Sequence, residues 1–80
     1  MKFELHKDVV LARDLPEHRL KRGDIVKPVE HHRALDGTEG YSAEMFNALG
    51  ETVAVVTVRE SHIEPLTANE LLHVRALAGA

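Results

Sequence analysis

A chain of 80 residues with a net charge of −3 and no cysteine is one domain on a modest core, without disulfides, thiolate metal sites or cysteine nucleophiles. Hydrophobic residues make up 44% and charged residues 29%, proportions that exclude a disordered chain. The segment from Met1 to Asp8 is polar and mixed in charge, and no stretch approaches the roughly 18 apolar residues of a membrane span, so a cytoplasmic protein without a membrane segment is expected.

The charge is unevenly spread. Residues 1–33 carry eight Lys and Arg against six Asp and Glu, whereas residues 34–80 carry two Arg against seven acids, a net −5. Nucleic-acid binders present a basic patch on a basic total. Here only the run from Arg19 to Arg22 is locally basic, so nucleic acid is disfavoured and a solvated surface of mixed sign is expected.

In chain order, Asp8 to Arg13 is a short apolar run between charges and reads as a first strand. It ends at Asp14-Leu15-Pro16, where Pro16 lacks an N–H and biases Leu15 to an extended backbone. A polar loop follows, anchored by Leu20 and closed by the turn residues Gly23-Asp24. Ile25 to His32 is a second strand. Pro28 within it removes a ladder donor, which predicts an edge strand or a bulge at that point. Asp36-Gly37 is a hairpin turn signal.

Tyr41–Phe46 and Glu51–Val58 then form a hairpin around Asn47-Ala48-Leu49-Gly50, with Gly50 in the left-handed position. The second of these strands has four Val and two Thr in eight residues and is the most β-prone stretch of the chain. Arg59 to Leu66 predicts one helical turn and a short last strand. This order, with about five strands, makes the fold mainly β, a small SH3-like barrel over residues 1–66. Residues 67–80 form a separate extension: Thr67 to Glu70 matches a capping box, Ala68, Leu71, Leu72 and Ala78 share a helical face with Val74 beside it, and Gly79 suits a helix end. A short C-terminal α-helix is therefore expected, stable only if its apolar stripe is buried.

Several of these segments together resemble a known family. They are Val9-Val10-Leu11, Asp14-Leu15-Pro16-Glu17-His18, Leu20-Lys21-Arg22-Gly23-Asp24, Tyr41 with Glu44, and Gly50 leading into Thr52 to Val58. In this order and spacing they are similar to a group of short bacterial proteins defined as a domain of unknown function, number 4926, over about residues 4–66. The resemblance implies a small SH3-like β-fold and no activity. The chain departs from the family pattern at Lys27-Pro28, where a Gly followed by a small or apolar residue is usual, and in the extension after Leu66.

No constellation reads as catalytic, so a non-enzymatic chain without a cofactor is expected. Ser61, His62 and Glu64 contain the groups of a hydrolytic triad, but sequence neighbours rarely meet in its geometry, and Ser61 is read as a turn cap. His31 and His32 are adjacent on a strand and point to opposite faces, so they cannot share a metal in regular β geometry. A metal-binding alternative at His31, His32 and His62 lacks any metal-type spacing. A second alternative is a KOW-like nucleic-acid-binding domain using Arg19, Lys21, Arg22 and Lys27.

The strongest functional signal is excess apolar surface. A strand with one wet face alternates apolar and polar residues. Here Val53, Val55 and Thr57 fall on one side and Ala54, Val56 and Val58 on the other, so something must cover a second face. The C-terminal helix, a homodimer or another protein are the candidates, with Val56, Val58, Leu71 and Leu72 as contact residues. The reading is a binding or assembly module that works through protein–protein contacts.

Overall fold

Strand formation follows the β-branched runs and the turn residues between them. A computed structural model of the chain describes residues 2–77. Five strands, β1 (Val9–Leu11), β2 (Ile25–Arg33), β3 (Glu39–Phe46), β4 (Thr52–Arg59) and β5 (Ile63–Pro65), form one antiparallel sheet in the order β4-β3-β2-β1-β5. Single 3₁₀ turns at Pro16–His18 and Glu60–His62 interrupt the connections. The expected mainly β fold is present. The described residues form an open sheet with β4 and β5 at its two ends.

β2 is central, so Pro28 resolves as a bulge and not as an edge. The register runs from Pro28 opposite Ala43 to Glu30 opposite Ser42, leaving Val29 as the extra residue. The Pro28 carbonyl accepts from the His6 N–H at 2.6 Å, which ties the N-terminal segment to the bulge. Beyond it, His31 lies opposite Tyr41 and its ring sits 5.3 Å from the tyrosine ring, while His32 reaches Ser42 on the other face.

β3 and β4 form the expected hairpin. Gly50 closes it at φ 81°, and the Asn47 carboxamide oxygen accepts from the N–H groups of Leu49 and Glu51, both at 3.0 Å. The strand begins two residues earlier than Tyr41, because Gly40 lets the Val58 carbonyl approach. A Cβ at Gly40 would lie 2.9 Å from that oxygen.

The core lies on one face and alternates as strand geometry requires. Val9, Leu11, Val26, Ala43, Val56, Val58 and Ile63 point into it from all five strands, with Tyr41 fully buried at its centre. The loop after β1 is part of this core. Leu15 and Leu20 exchange backbone hydrogen bonds at 2.9 and 3.1 Å around the 3₁₀ turn, and both side chains are buried. Phe3 completes the cluster edge-on to Tyr41, with ring centroids 6.0 Å apart.

The buried phenol dictates how the chain ends meet. Its hydroxyl donates to Glu60 Oε2 at 2.6 Å and accepts from the Phe3 and Lys2 N–H groups at 3.1 and 3.2 Å. Burial, with the Glu60 hydrogen bond next, raises the Tyr41 pKa. The Tyr41 hydrogen bond in turn lowers that of Glu60, aided by the Lys2 N–H.

The C-terminal helix is a correction. Among the described residues there is no α-helix, and Leu71 to Leu77 follow an irregular path. The capping box forms by half: Glu70 Oε1 accepts from the Thr67 N–H at 2.6 Å, but the Thr67 hydroxyl turns to the side-chain oxygens of Asn69 and Glu70. One turn closes, from the Glu70 N–H to the Thr67 carbonyl at 3.1 Å, and nothing propagates it. A short helix must offset a costly nucleus by burying its stripe. Leu71, Leu72 and Val74 are 92%, 75% and 87% exposed, so that burial is absent. Ala78 and Gly79, expected to end the helix, lie outside the described residues.

Two substitutions test this account. Gly40→Ala forces a Cβ against the Val58 carbonyl and should lower stability by about 1–3 kcal/mol in denaturant unfolding. Tyr41→Phe keeps the ring but takes the donor from Glu60, which keeps the Lys2 N–H at 3.0 Å, and strands the buried Phe3 N–H, and should cost roughly 1–3 kcal/mol in the same measurement.

Candidate contact surface

The sheet face opposite the core carries the residues left over by the β alternation. On β4 these are Val53 and Val55, 41% and 62% exposed, with Thr57 beyond them. Val56 and Val58, expected as contact residues, are instead 6% and 2% exposed and belong to the core. The two-sided apolar character of β4 was legible, but which set faces inward depends on register against β3, where Tyr41 lies opposite Val58 and Ala43 opposite Val56.

A groove of about 640 Å³ crosses this outer face. Its floor comes from Val10 of β1, Ile25 of β2, Met45 and Phe46 of β3 and Val53 of β4, and its wall from Leu66 and the tail between Glu70 and Leu77. Leu71 and Leu72, two of the expected contact residues, line it while keeping most of their own surface open. Lys27 sits over the face of the Phe46 ring, its ammonium 5.3 Å from the centroid, a cation–π arrangement.

One ion pair holds the tail in place. Arg75 Nε and Nη2 donate to the two carboxylate oxygens of Asp24 at 2.8 and 2.5 Å, a bidentate fork between half-buried partners. Arg75 Nη2 also donates to the Arg19 carbonyl at 3.2 Å. Burial pushes the Asp24 carboxyl up, but the Arg75 hydrogen bond, the Lys21 N–H and the nearby positive charges outweigh it and hold the group below the usual carboxylate range. Asp24 was legible only as a turn residue. The signal for the clamp was a lone arginine in an apolar tail, and its partner lies 51 positions away.

The histidines do not converge. His31 pairs with the Glu39 carboxylate, and His32 with the Ser42 hydroxyl at 2.6 Å and with Glu30 at 3.5 Å. His62 Nε2 lies 3.2 Å from Arg13 Nη1, and burial, followed by the Arg13 and Arg59 charges, lowers its pKa. Among the described residues no three His, Asp or Glu side chains come together as metal ligands, so the metal alternative at His31, His32 and His62 is set aside. Ser61 is exposed on the 3₁₀ turn, whose N-terminal end carries no side-chain cap.

The basic candidates are interleaved with acids. Arg19, Lys21 and Arg22 are exposed, yet the Lys21 and Arg22 N–H groups donate to Asp24 and Asp14, both at 2.8 Å, which brings carboxylates into the same loop. Lys27 stands on the strand beside it with Asp8 at 4.0 Å. No described helix is long and apolar enough to cross a membrane.

The arrangement is an antiparallel sheet with the core on one face and partly open apolar residues on the other. The chain belongs to the family described as a domain of unknown function (DUF4926), whose model matches residues 5–65. That match ends with β5 and includes Asp24, while the tail that carries Arg75 lies beyond it. No curated protein and no solved structure matches the chain.

The clamp has a defined pH dependence. Because the folded Asp24 pKa lies below its unfolded value, the contribution of the pair is complete above the ordinary carboxylate range and is lost as pH falls through the folded-state value. Amide signals of Leu71 to Leu77 should therefore hold their positions at neutral pH and collapse toward random-coil shifts only as pH falls below the ordinary carboxylate range. Arg75→Gln should produce the collapsed shifts already at neutral pH, with the sheet signals unchanged.

Proposed function

We propose that this chain is a non-catalytic, SH3-like binding or assembly module that acts through protein–protein contacts. The observation that carries the reading is the apolar outer face, where Val53 and Val55 stand open beside a groove whose tail wall presents Leu71 and Leu72 to solvent. Apolar residues grouped in this way on a small domain mark an interaction surface more often than scattered single ones do. The strand order β4-β3-β2-β1-β5, with a 3₁₀ turn before the last strand, supports the SH3-like reading. A cytoplasmic setting goes with it.

The tail makes the surface adjustable. It contributes exposed leucines to the groove, yet a single bidentate pair ties it to the loop before β2. A partner that buries Leu71 and Leu72 offers the tail the apolar contact that the isolated chain does not. Coupling of this kind favours a binding surface over a purely structural extension.

A rival reading is a KOW-like nucleic-acid domain, favoured by the exposure of Arg19, Lys21 and Arg22 on one loop. It predicts retardation of RNA or DNA that weakens steeply with salt.

Leu71→Ser with Leu72→Ser tests the main reading. Both side chains are mostly open, so the double variant should unfold within about 0.5 kcal/mol of the parent. It should nevertheless lose proteins that the parent chain retains on an affinity matrix. A parent chain that retains no protein and stays monomeric overturns the proposal.

A further inference from the structure

The groove on the outer face has two unlike parts. Its floor is apolar, from Val10, Ile25, Met45, Phe46 and Val53, and Asp24 lines it beside them. Under the tail the Asp24 side chain is only 10% exposed, so a carboxylate charge is nine-tenths buried there. The loop before β2 positions that carboxylate without help from the tail. The Lys21 N–H donates to Oδ2 at 2.8 Å, and the Asp24 N–H donates to the Lys21 carbonyl at 3.0 Å. The Leu11 N–H of β1 donates to the Asp24 carbonyl at 2.9 Å. With the Arg19 carbonyl, this loop offers three oxygens to one guanidinium. A planar fork of N–H donors matches such a set, and a compact ammonium does not.

The tail supplies the guanidinium in the isolated chain, and it is an incomplete occupant. Arg75 engages all three oxygens, but Leu71, Leu72 and Val74 stay exposed and bury little of the floor. The polar part of the groove is thus filled, while about 640 Å³ remains open in the groove. Asp24 lies within the residues that the family model matches, and Arg75 lies beyond them.

We propose that this groove docks an arginine-bearing, otherwise apolar segment of another protein, whose guanidinium replaces Arg75 on Asp24 and Arg19. The proposal rests on the protein-contact reading above and names the chemistry of the partner. Two constraints select that chemistry. An occupant that covers Asp24 without a cation leaves a buried charge unpaired, which is strongly unfavourable. The open floor then favours apolar residues beside the arginine, because they remove from water a surface that the tail leaves wet. An incoming segment of this kind makes the same ion pair as the tail and buries the floor as well. The tail is therefore an internal competitor, which keeps the carboxylate paired and lowers the apparent affinity of the site.

The experiment titrates the full chain with a synthetic peptide of residues 71–77, blocked at both ends, and follows the backbone amides. This peptide holds one arginine among mostly apolar side chains. In Arg75→Gln, where the three oxygens are vacated, it should shift the amides of Lys21 to Ile25 together with those of Met45 and Phe46. The parent should bind it roughly ten-fold more weakly, because Arg75 competes from within. A peptide with glutamine or lysine in place of its arginine should bind Arg75→Gln roughly ten-fold more weakly than the arginine peptide. If Arg75→Gln fails to fold, the same peptides are compared on the parent at higher concentration.

Equal binding of the arginine and glutamine peptides, or no shift at Lys21 to Ile25, overturns the proposal. So does a parent chain that dimerises in sedimentation equilibrium and loses the dimer on Arg75→Gln, because the occupant is then the tail of a second copy. A chain that ignores the peptide, yet loses its retained proteins in the Leu71→Ser, Leu72→Ser double variant, overturns this site alone and leaves the broader reading standing.

Discussion

A phenol with no exposed surface has to find hydrogen bonds inside the molecule, and most of this fold is arranged around that demand. Tyr41 sits in the middle of β3, at the centre of the core. Its hydroxyl is met by the carboxylate that follows β4 and by two amides from the N-terminal segment. An unsatisfied buried hydroxyl costs more than a satisfied one contributes, so these contacts act chiefly as requirements. They hold the 3₁₀ turn at Glu60, and β5 continues directly from that turn to pair with β1. Phe3 is carried into the core by the same contact and packs edge-on against the ring.

The bulge at Pro28 is the other constraint with long reach. By adding Val29 to β2 it turns His31 toward Tyr41 and His32 toward Ser42. Without it the second half of β2 would present opposite faces, since side chains alternate strictly along a strand. Lys27-Pro28 therefore falls at the position where this strand changes register. The His6 amide bonded to the Pro28 carbonyl draws the N-terminal segment to the same place.

The outer face is where the chain spends little on its own stability. Val10 is nearly buried there and Ile25 partly so, while Val53 and Val55 on β4 remain open. The tail crosses this side pinned by Arg75 and Asp24, with its leucines unburied. An amphipathic segment that is tethered but not packed leaves apolar surface open, and so do the outward valines of β4. Both features lie on the side of the sheet away from Tyr41. Contacts made there need not disturb the core.

The residues alone determined the strands, because β-branched runs bounded by Gly, Pro, Asn and Asp admit few other conformations. The alternatives for Pro28, the left-handed Gly50, the opposed histidines and the family membership were all legible in the same way. The inward face of β4 was not. Valines occur on both of its sides, and only the register against Tyr41 and Ala43 decided that Val56 and Val58 go in while Val53 and Val55 stay out. The tail was misread for a related reason. Its helical periodicity and capping box are local signals, and a short helix exists only where a surface buries its stripe. The described fold supplies a distant ion pair in place of that surface, and a contact between Asp24 and Arg75 leaves no trace in local pattern.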